Sequence, residues 1–189
     1  MPLPVQFHRL AGTVPEGKIS SEALRVSFRG QAYVLSPMEA GDPSKLLLAE
    51  GATEFDRPFD PKKWVLGVSA APESSPEDVQ AFYAVAHCGD PARLDDTLAF
   101  VSPRARGKRL SHLITYGVYL ELLRLPRPFV LRQRIDHPKL RLHARCGFAP
   151  PLRPLRDGKV EVGRFDLHAV LSRIESENEI RELTLPKVA

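Results

Sequence analysis

The clearest pattern in the chain is a run of apolar and small residues at helical spacing between positions 110 and 125. These residues stand at 110, 113, 114, 117, 118, 122 and 125, the spacing that places them on one face of an α-helix. Pro126 and Pro128 follow the run and are expected to end the helix. Tyr116 and Tyr119 fall outside the apolar stripe, so we expect them on the opposite face, packed against a neighbouring segment or stacked on an aromatic base.

Shorter apolar runs predict β-strands along the rest of the chain. The first two runs flank Arg29, Gly30 and Gln31, which predicts a hairpin. Residues 138–145, which begin with a proline and are followed by Gly147, predict a short second helix. The runs predicted as strands are 24–28, 32–35, 64–68, 79–88, 94–101, 129–135 and 164–174.

The composition is that of a globular protein, with 189 residues of which 43% are hydrophobic and 26% charged. No stretch reaches the roughly 18 consecutive apolar residues of a membrane helix. Residues 1–10 hold no apolar signal core either, so we expect a cytoplasmic protein without membrane contact. Cys88 and Cys146 lack the paired spacing of a zinc site or a disulfide framework, so we expect two buried thiols and no metal.

Proline usage suggests how the chain is organised. Seven prolines interrupt the periodic runs of the first sixty or so residues. We therefore expect an N-terminal segment of residues 1–63, either within the main domain or beside it. A core would follow over residues 64–174 and a polar tail over residues 175–189.

Charge is distributed unevenly along the chain. Residues 1–100 carry 9 basic and 14 acidic side chains, whereas residues 101–189 carry 18 basic and 9 acidic ones. Residues 101–164 alone have a balance of +11, which concentrates positive potential there. An anionic ligand, nucleic acid or simply a solvated arginine-rich surface would each account for this imbalance.

The segment from Val101 to Ser111 joins a predicted buried strand directly to the long helix. Unpaired N–H groups at the start of a helix bind phosphate, and Gly107 would let a ligand approach the backbone closely. We call residues 102–109 the basic loop. Its four cations favour a diphosphate over a carboxylate as the ligand, and they are Arg104, Arg106, Lys108 and Arg109.

At these residues the chain resembles the GNAT superfamily of N-acetyltransferases, with a likeness that covers residues 64–174. The family's acetyl-CoA pyrophosphate loop reads Gln/Arg-x-x-Gly-x-Gly/Ala after a strand ending in Val-x-Pro. Here Val101-Ser102-Pro103 precedes Arg104-Ala105-Arg106-Gly107-Lys108-Arg109. The family's second signature, Asn, then Tyr, then Gly-Phe, is matched in outline by Asp136, His143 and Gly147-Phe148. The resemblance implies an α+β fold with a GNAT-like mixed, mostly antiparallel sheet flanked by helices.

The resemblance also implies roles for individual residues in binding acetyl-CoA. The pyrophosphate would lie against the basic loop and the N–H groups of Leu110 and Ser111. Backbone N–H groups around Phe100 and Val101 would contact the pantetheine arm and polarise the thioester carbonyl. Asp136 stands where the family has asparagine, and Arg109 stands where it has glycine or alanine.

The resemblance implies two proton-transfer roles as well. His143 stands in place of the tyrosine that in many members protonates the departing thiolate, and a histidine pKa near 6.5 suits that step. Its alternative role is that of a surface or packing residue. Asp95 or Asp96 is the candidate base that takes a proton from the amine, with His87 on the neighbouring strand as a weaker candidate. The two aspartates are equally typical of solvated residues at the start of a strand.

Three functions are consistent with these features. By resemblance, the chain transfers an acetyl group from acetyl-CoA to an unidentified primary amine by direct attack. Alternatively, it is a degenerate, non-catalytic module whose basic half contacts nucleic acid or an acidic protein, as the bulky Arg109 would suggest. A third hypothesis joins the two, with an acceptor amine carried on RNA such as an aminoacyl-tRNA.

Overall fold

The computed structural model describes residues 23–38, 64–87, 93–125, 130–134, 159–162 and 164–183. Among them, a 3₁₀ turn over Pro103–Ala105 separates the fifth strand from the first helix. The strands are β1 (Leu24–Phe28), β2 (Gln31–Pro37), β3 (Trp64–Pro72), β4 (Ala81–His87), β5 (Arg93–Val101), β6 (Val130–Arg134), β7 (Lys159–Val162) and β8 (Arg181–Glu182), and the helices are α1 (Leu110–Arg124) and α2 (Arg164–Asn178).

The strands form one sheet in the order β7-β6-β5-β4-β3-β2-β1-β8. Every pairing is antiparallel except that of β5 with β6, which is parallel. This parallel pair is possible because the basic loop and α1 carry the chain from the end of β5 back to the start of β6. The described part of the chain is therefore an α+β fold with a mostly antiparallel sheet, as the sequence predicts.

The segment before residue 64 contributes directly to this sheet. Strands β1 and β2 form the predicted hairpin, and β2 pairs with β3 from Tyr33↔Pro72 to Pro37↔Val68. At the hairpin turn Arg29 and Gly30 have φ angles of 53° and 79°, the left-handed conformation that tight hairpin turns require. The backbone N–H of Arg29 donates to the Asn178 carbonyl at 3.0 Å, so the end of α2 is fastened to this turn.

Helix α1 packs on one face of the sheet. Its apolar residues join a core that includes Tyr33 and Leu35 of β2, Val68 of β3 and Tyr83 of β4. The approach is closest at Gly117, where an added Cβ would lie 2.9 Å from Val68 Cγ1 and 3.2 Å from Leu35 Cδ1. The helix therefore rests on the strands over a residue that has no side chain.

The opposite face of the sheet is also buried. Val34, Ala71, Phe82 and Ala84 are each at most 5% exposed. Phe82 stacks on Phe100 of β5, with ring centroids 5.5 Å apart and planes at 29°. Because both faces are buried, the central strands read as nearly continuous apolar runs rather than as alternating ones.

The predicted strand over residues 164–174 is wrong, because this segment is the first part of α2. Its apolar residues Leu167, Val170, Leu171 and Ile174 recur at helical spacing and are all buried. Beyond residue 174 the chain completes α2 and adds the short strand β8, which pairs with β1 at Val26↔Glu182.

Tyr116 and Tyr119 pack against neighbouring segments, which is one of the two surroundings expected from the sequence. Tyr116 is 3% exposed and Tyr119 is 0% exposed. Helix α2 packs against α1 as well, and its buried residues Leu167 and Ile174 belong to the same core. The Tyr116 hydroxyl hydrogen-bonds the Glu175 carboxylate of α2, and the Tyr119 ring lies 6.3 Å from that of Tyr83.

Within the described ranges, no helix is long and apolar enough to span a membrane.

Candidate functional site

Strands β5 and β6 run side by side for only three residue pairs. They pair at Arg93↔Val130, Leu94↔Leu131 and Asp95↔Arg132, after which β5 continues to Val101 without β6. From residue 96 onward β5 is hydrogen-bonded on one side, to β4, and no described strand pairs with its other edge. The backbone on that edge can therefore bind an extended ligand as another strand would.

A β-bulge lies where the two strands part. On β5, Leu98 pairs with Ala84 and Asp96 pairs with the next residue of β4, Val85, which leaves Thr97 as an extra residue. A bulge bends its strand and strengthens the local twist. Here it separates the segment that holds Asp95 and Asp96 from the segment 98–101 that leads into the basic loop.

The hydrogen bonds at the end of β5 indicate which amides face the open edge. The Ser102 N–H donates to the Gln80 carbonyl at 2.9 Å. Amides alternate between the two edges of a strand, so those of Ser102 and Phe100 point toward β4. The same alternation directs the amides of Val101 and Ala99 to the open edge. Of the two residues that the resemblance suggested, Val101 has the amide aimed away from β4, and Phe100 instead stacks its ring on Phe82.

The basic loop is anchored in the core at both ends and exposed between them. Ala105 and Leu110 are each 1% exposed, whereas residues 106–109 are all exposed. Gly107 and Arg109 both have left-handed backbones, with φ angles of 86° and 59°. An arginine therefore occupies a conformation that favours glycine, at the position where the resembling family has glycine or alanine.

The backbone amides of this loop are available to a ligand. Among the described residues, none of the N–H groups of residues 107–111 donates to a backbone carbonyl, and the first that does so is that of His112, to the Arg109 carbonyl at 2.9 Å. No side chain caps α1 at its first turn. Unpaired amides at the start of a helix, with the helix dipole behind them, are an arrangement that can bind an anion.

The four cations of the loop differ in their surroundings. Arg104 folds back toward the sheet, where its Nη2 lies 2.6 Å from Asp78 Oδ1 and its Nε donates to Ser102 Oγ at 3.3 Å. The side chains of Arg106, Lys108 and Arg109 are exposed and make no ion pair with any residue that the structure describes. Three exposed cations therefore belong to the same loop as the unpaired amides, whereas Arg104 is held by a carboxylate.

Asp78 and Gln80 were not singled out from the sequence. They lie in the turn-rich connection between β3 and β4, where the Gln80 Nε2 donates to Asp78 Oδ2 at 2.9 Å. The sequence signals only that the connection between β3 and β4 is acidic and forms turns. It does not indicate that this connection lies next to the basic loop. Which acidic residue meets which cation depends on the β4–β5 register, and that register is not readable from local sequence.

The remaining candidates are placed less completely. Asp95 and Asp96 lie on β5 at the point where it separates from β6, paired with Ala86 and Val85. His87, the weaker base candidate, ends β4 opposite Leu94. Asp136 and His143 lie outside the described residues, as do the predicted helix 138–145 and the Gly147-Phe148 pair.

Two buried polar groups of α1 have shifted acidities. Burial raises the pKa of the Glu121 carboxyl, although the ion pair with Arg124 opposes this shift. Burial, followed by the charge of Glu175 and the hydrogen bond to it, raises the pKa of Tyr116. Both side chains lie beyond the first turn of α1. Their ionisation therefore affects the stability of the fold and not the basic loop.

Comparisons with known proteins show a shared fold. No protein-family model matches the chain, and no curated protein sequence matches it. An uncharacterized protein from Bacillus halodurans is similar in structure, with a TM-score of 0.54 and 10% identity over 82% of this chain and 99% of that one. At this identity the likeness concerns the fold alone.

Two variants of a cAMP-binding acyltransferase from Mycobacterium smegmatis are also similar. Their TM-scores are 0.48 and 0.46, with 11% and 8% identity over 82% and 80% of this chain. The chain spans 55% and 56% of the length of those two proteins. Scores below about one half do not establish a common activity.

Proposed function

We propose that this protein transfers an acyl group from acyl-CoA, with acetyl-CoA as the donor we expect, to a primary amine, and that it is a divergent member of the GNAT superfamily. The observation that carries the proposal is the continuity between the open edge of β5 and the unpaired amides of the basic loop. An acyl-CoA has an extended, amide-containing arm attached to a diphosphate. The two adjoining features match these two parts in chemistry and in order.

The diphosphate would bind at the basic loop. The N–H groups of residues 107–111 and the dipole of α1 would receive the phosphate oxygens, while Arg106, Lys108 and Arg109 would add charge. The backbone of Arg109 has the left-handed conformation that a glycine adopts readily, so its amide is oriented as a glycine's would be. This conformation supports phosphate binding despite the bulky side chain.

The pantetheine arm would lie along the open edge of β5. The backbone N–H groups of Val101 and of Ala99, two residues earlier on the same edge, can donate hydrogen bonds to its carbonyl groups. The thioester would then reach toward the bulge at Thr97, close in sequence to Asp95 and Asp96. A backbone N–H near the thioester carbonyl would stabilise the negative charge that develops on its oxygen.

The reaction needs one group that accepts a proton and one that donates a proton. The attacking amine gives up a proton, directly or through water, to Asp95 or Asp96. Its neutral nitrogen then forms the new bond to the carbonyl carbon, the bond from that carbon to sulfur breaks, and the nitrogen loses its second proton to solvent. His143 would return a proton to the departing thiolate, in the role that the resemblance assigns to its position.

An acceptor screen tests the proposal. Purified protein is incubated with acetyl-CoA and a panel of small amines, amino acids and aminoacyl-tRNA, and the free thiol of CoA is measured. We expect thiol release with at least one acceptor, and its loss in His143→Ala or in a double Asp95→Asn/Asp96→Asn variant. Hydrolysis of acetyl-CoA that no acceptor accelerates would count against amine transfer.

A non-catalytic, polyanion-binding module is the second candidate. The observation that favours it is the trio of exposed cations Arg106, Lys108 and Arg109, which would suit a nucleic-acid backbone as well as a diphosphate. On this hypothesis the protein binds RNA or DNA with an affinity that falls steeply with salt, and acetyl-CoA does not compete. Competition by acetyl-CoA would instead place both ligands at the basic loop.

A further inference from the structure

Four residues form a closed polar ring that joins the start of the basic loop to the connection between β3 and β4. Asp78 accepts from Arg104 Nη2 through one carboxylate oxygen, at 2.6 Å, and from Gln80 Nε2 through the other, at 2.9 Å. Arg104 Nε donates to Ser102 Oγ at 3.3 Å, and the Ser102 N–H donates to the Gln80 carbonyl at 2.9 Å. The ring therefore links the β3–β4 connection to the residues at which the chain leaves β5.

The position of the ring fixes the start of the basic loop. The Ala105 N–H donates to the Ser102 carbonyl at 2.9 Å and closes the 3₁₀ turn, and Ala105 is 1% exposed. Ser102 is also 1% exposed. The direction in which the chain leaves this turn decides where the amides of residues 107–111 point. Any group that holds Ser102 and Arg104 therefore acts on those amides at a distance.

The ring's ion pair contributes little to overall stability. The Arg104 side chain is 55% exposed and that of Asp78 is 28% exposed, and pairs this exposed usually contribute little to folding. Its geometry is nevertheless specific, because two separate nitrogens of one guanidinium bind two different partners. A small effect on folding combined with tight local geometry is typical of a positioning contact.

We propose that Asp78 is a positioning residue for the acyl-donor site, acting through Arg104 to hold the basic loop in its anion-binding shape. Arg104, which the sequence predicts to be one of the phosphate ligands, instead fastens the loop. The phosphate contacts fall to the amides of residues 107–111 and to Arg106, Lys108 and Arg109. The role in ligand binding rests on the proposed function, whereas the effect on the loop does not.

The direction in which Asp78→Ala changes the affinity for acetyl-CoA shows whether Asp78 positions the loop or competes with the ligand for Arg104. Removal of the Asp78 charge makes the neighbourhood of the loop more positive, and by itself this raises affinity for an anion. If Arg104 were a ligand that Asp78 restrains, Asp78→Ala would release it and acetyl-CoA would bind more tightly. A fall in affinity would therefore have to come from loss of the loop's shape.

The chain offers a matched control. Glu73 lies in the same β3–β4 connection and forms an ion pair as well, but its partner is Arg25 of β1. Glu73→Ala removes the same charge from the same connection without touching the ring. It should leave both the basic loop and ligand binding unchanged.

The experiment combines hydrogen exchange of the free protein with titration by acetyl-CoA. We expect Asp78→Ala and Arg104→Ala to speed amide exchange at Ser102 and Ala105 by about tenfold or more, with Glu73→Ala matching the wild type. Each of the first two should weaken acetyl-CoA binding by about threefold to tenfold, and the double variant should bind no more weakly than either single one.

The possible outcomes decide between the hypotheses. Unchanged exchange in Asp78→Ala would overturn the positioning role whether or not acetyl-CoA binds. Tighter binding in that variant would also overturn it, and would make Arg104 a restrained ligand. If exchange increases as expected but the wild type does not bind acetyl-CoA, the effect on the loop is upheld and the proposed function fails.

Discussion

Gly117 provides the sharpest test of how α1 is seated on the sheet. Gly117→Ala places a methyl group 2.9 Å from Val68 Cγ1 and 3.2 Å from Leu35 Cδ1. Both neighbours are almost fully buried, at 1% and 2% exposure, and the β-branched Val68 has little freedom to turn away. Either one of these side chains or the helix itself must therefore shift to accept the methyl group.

The magnitude follows from two opposing contributions. Alanine in place of glycine stabilises a helix interior by about 1 kcal/mol. Overpacking of a well-filled core costs about 1–3 kcal/mol, so we expect a net loss of about 1 kcal/mol. For a protein of this size, that loss corresponds to a fall in Tm of about 2–4 °C.

A double-mutant cycle makes the test specific. Val68→Ala removes the nearer of the two contacts, and the flexible end of Leu35 can turn into the space that Val68 leaves. In that background Gly117→Ala should stabilise by about 1 kcal/mol. The free energy of unfolding is measured by urea denaturation for the four proteins, and the expected coupling is about 2 kcal/mol. If Gly117→Ala stabilised the wild type by the full helix-propensity amount, the close packing of α1 on β2 and β3 would be refuted.

Three further predictions concern α1 and the basic loop. Burial raises the pKa of Glu121 above its unfolded value, so the folded protein keeps a proton that the unfolded chain loses, and stability falls as pH rises through that window. Glu121→Gln should thus gain in Tm relative to the wild type as the pH rises above the ordinary pKa of a glutamate, about 4.3, and parallel Tm profiles would contradict this. Tyr116→Phe removes the hydrogen bond to Glu175 and should lower the free energy of unfolding, measured by urea titration, by about 1 kcal/mol. An unchanged free energy of unfolding would show that this bond does not stabilise the fold. Arg109→Gly relieves a left-handed arginine and should stabilise by about 1 kcal/mol while weakening acetyl-CoA binding in calorimetry; tighter binding would mean that the Arg109 side chain obstructs the site.

The sequence predicts much of the sheet and the long helix because these elements carry strong local signals. The apolar periodicity of residues 110–125 and its terminating prolines locate α1 to within a residue. The hairpin of β1 and β2 follows from a short turn that holds Gly30. The parallel β5–β6 pair is consistent with the strand, helix, strand order.

One element was assigned the wrong secondary structure, and the surroundings of two buried side chains depended on tertiary packing. The 164–174 segment contains enough apolar residues to read as a strand, and only their spacing at 167, 170, 171 and 174 distinguishes a helix. Tyr116 is buried with its hydroxyl at Glu175 of α2, and Tyr119 is buried with its ring near that of Tyr83 on β4. No local pattern on α1 indicates which segments these two side chains contact. The sequence of one helix does not show whether segments that are distant in sequence bury its side chains.

One part of the candidate site follows from local sequence, and another part depends on the tertiary structure. The unpaired amides of residues 107–111 follow from a strand that runs into a helix through a loop that has no capping side chain, so the sequence could locate them. The attachment of Arg104 to Asp78 joins residues from different connections and depends on the pairing of β4 with β5. Which of four neighbouring cations is held by a carboxylate therefore required the structure.

Calorimetric titration of the purified protein with acetyl-CoA tests the central claim most directly. A diphosphate site formed by the amides of residues 107–111 and the exposed cations predicts saturable, one-to-one binding with a micromolar Kd. In a matched Arg106→Gln/Lys108→Gln variant, binding should weaken and its dependence on salt should become shallower. Absence of binding by the wild type at millimolar acetyl-CoA would contradict the account.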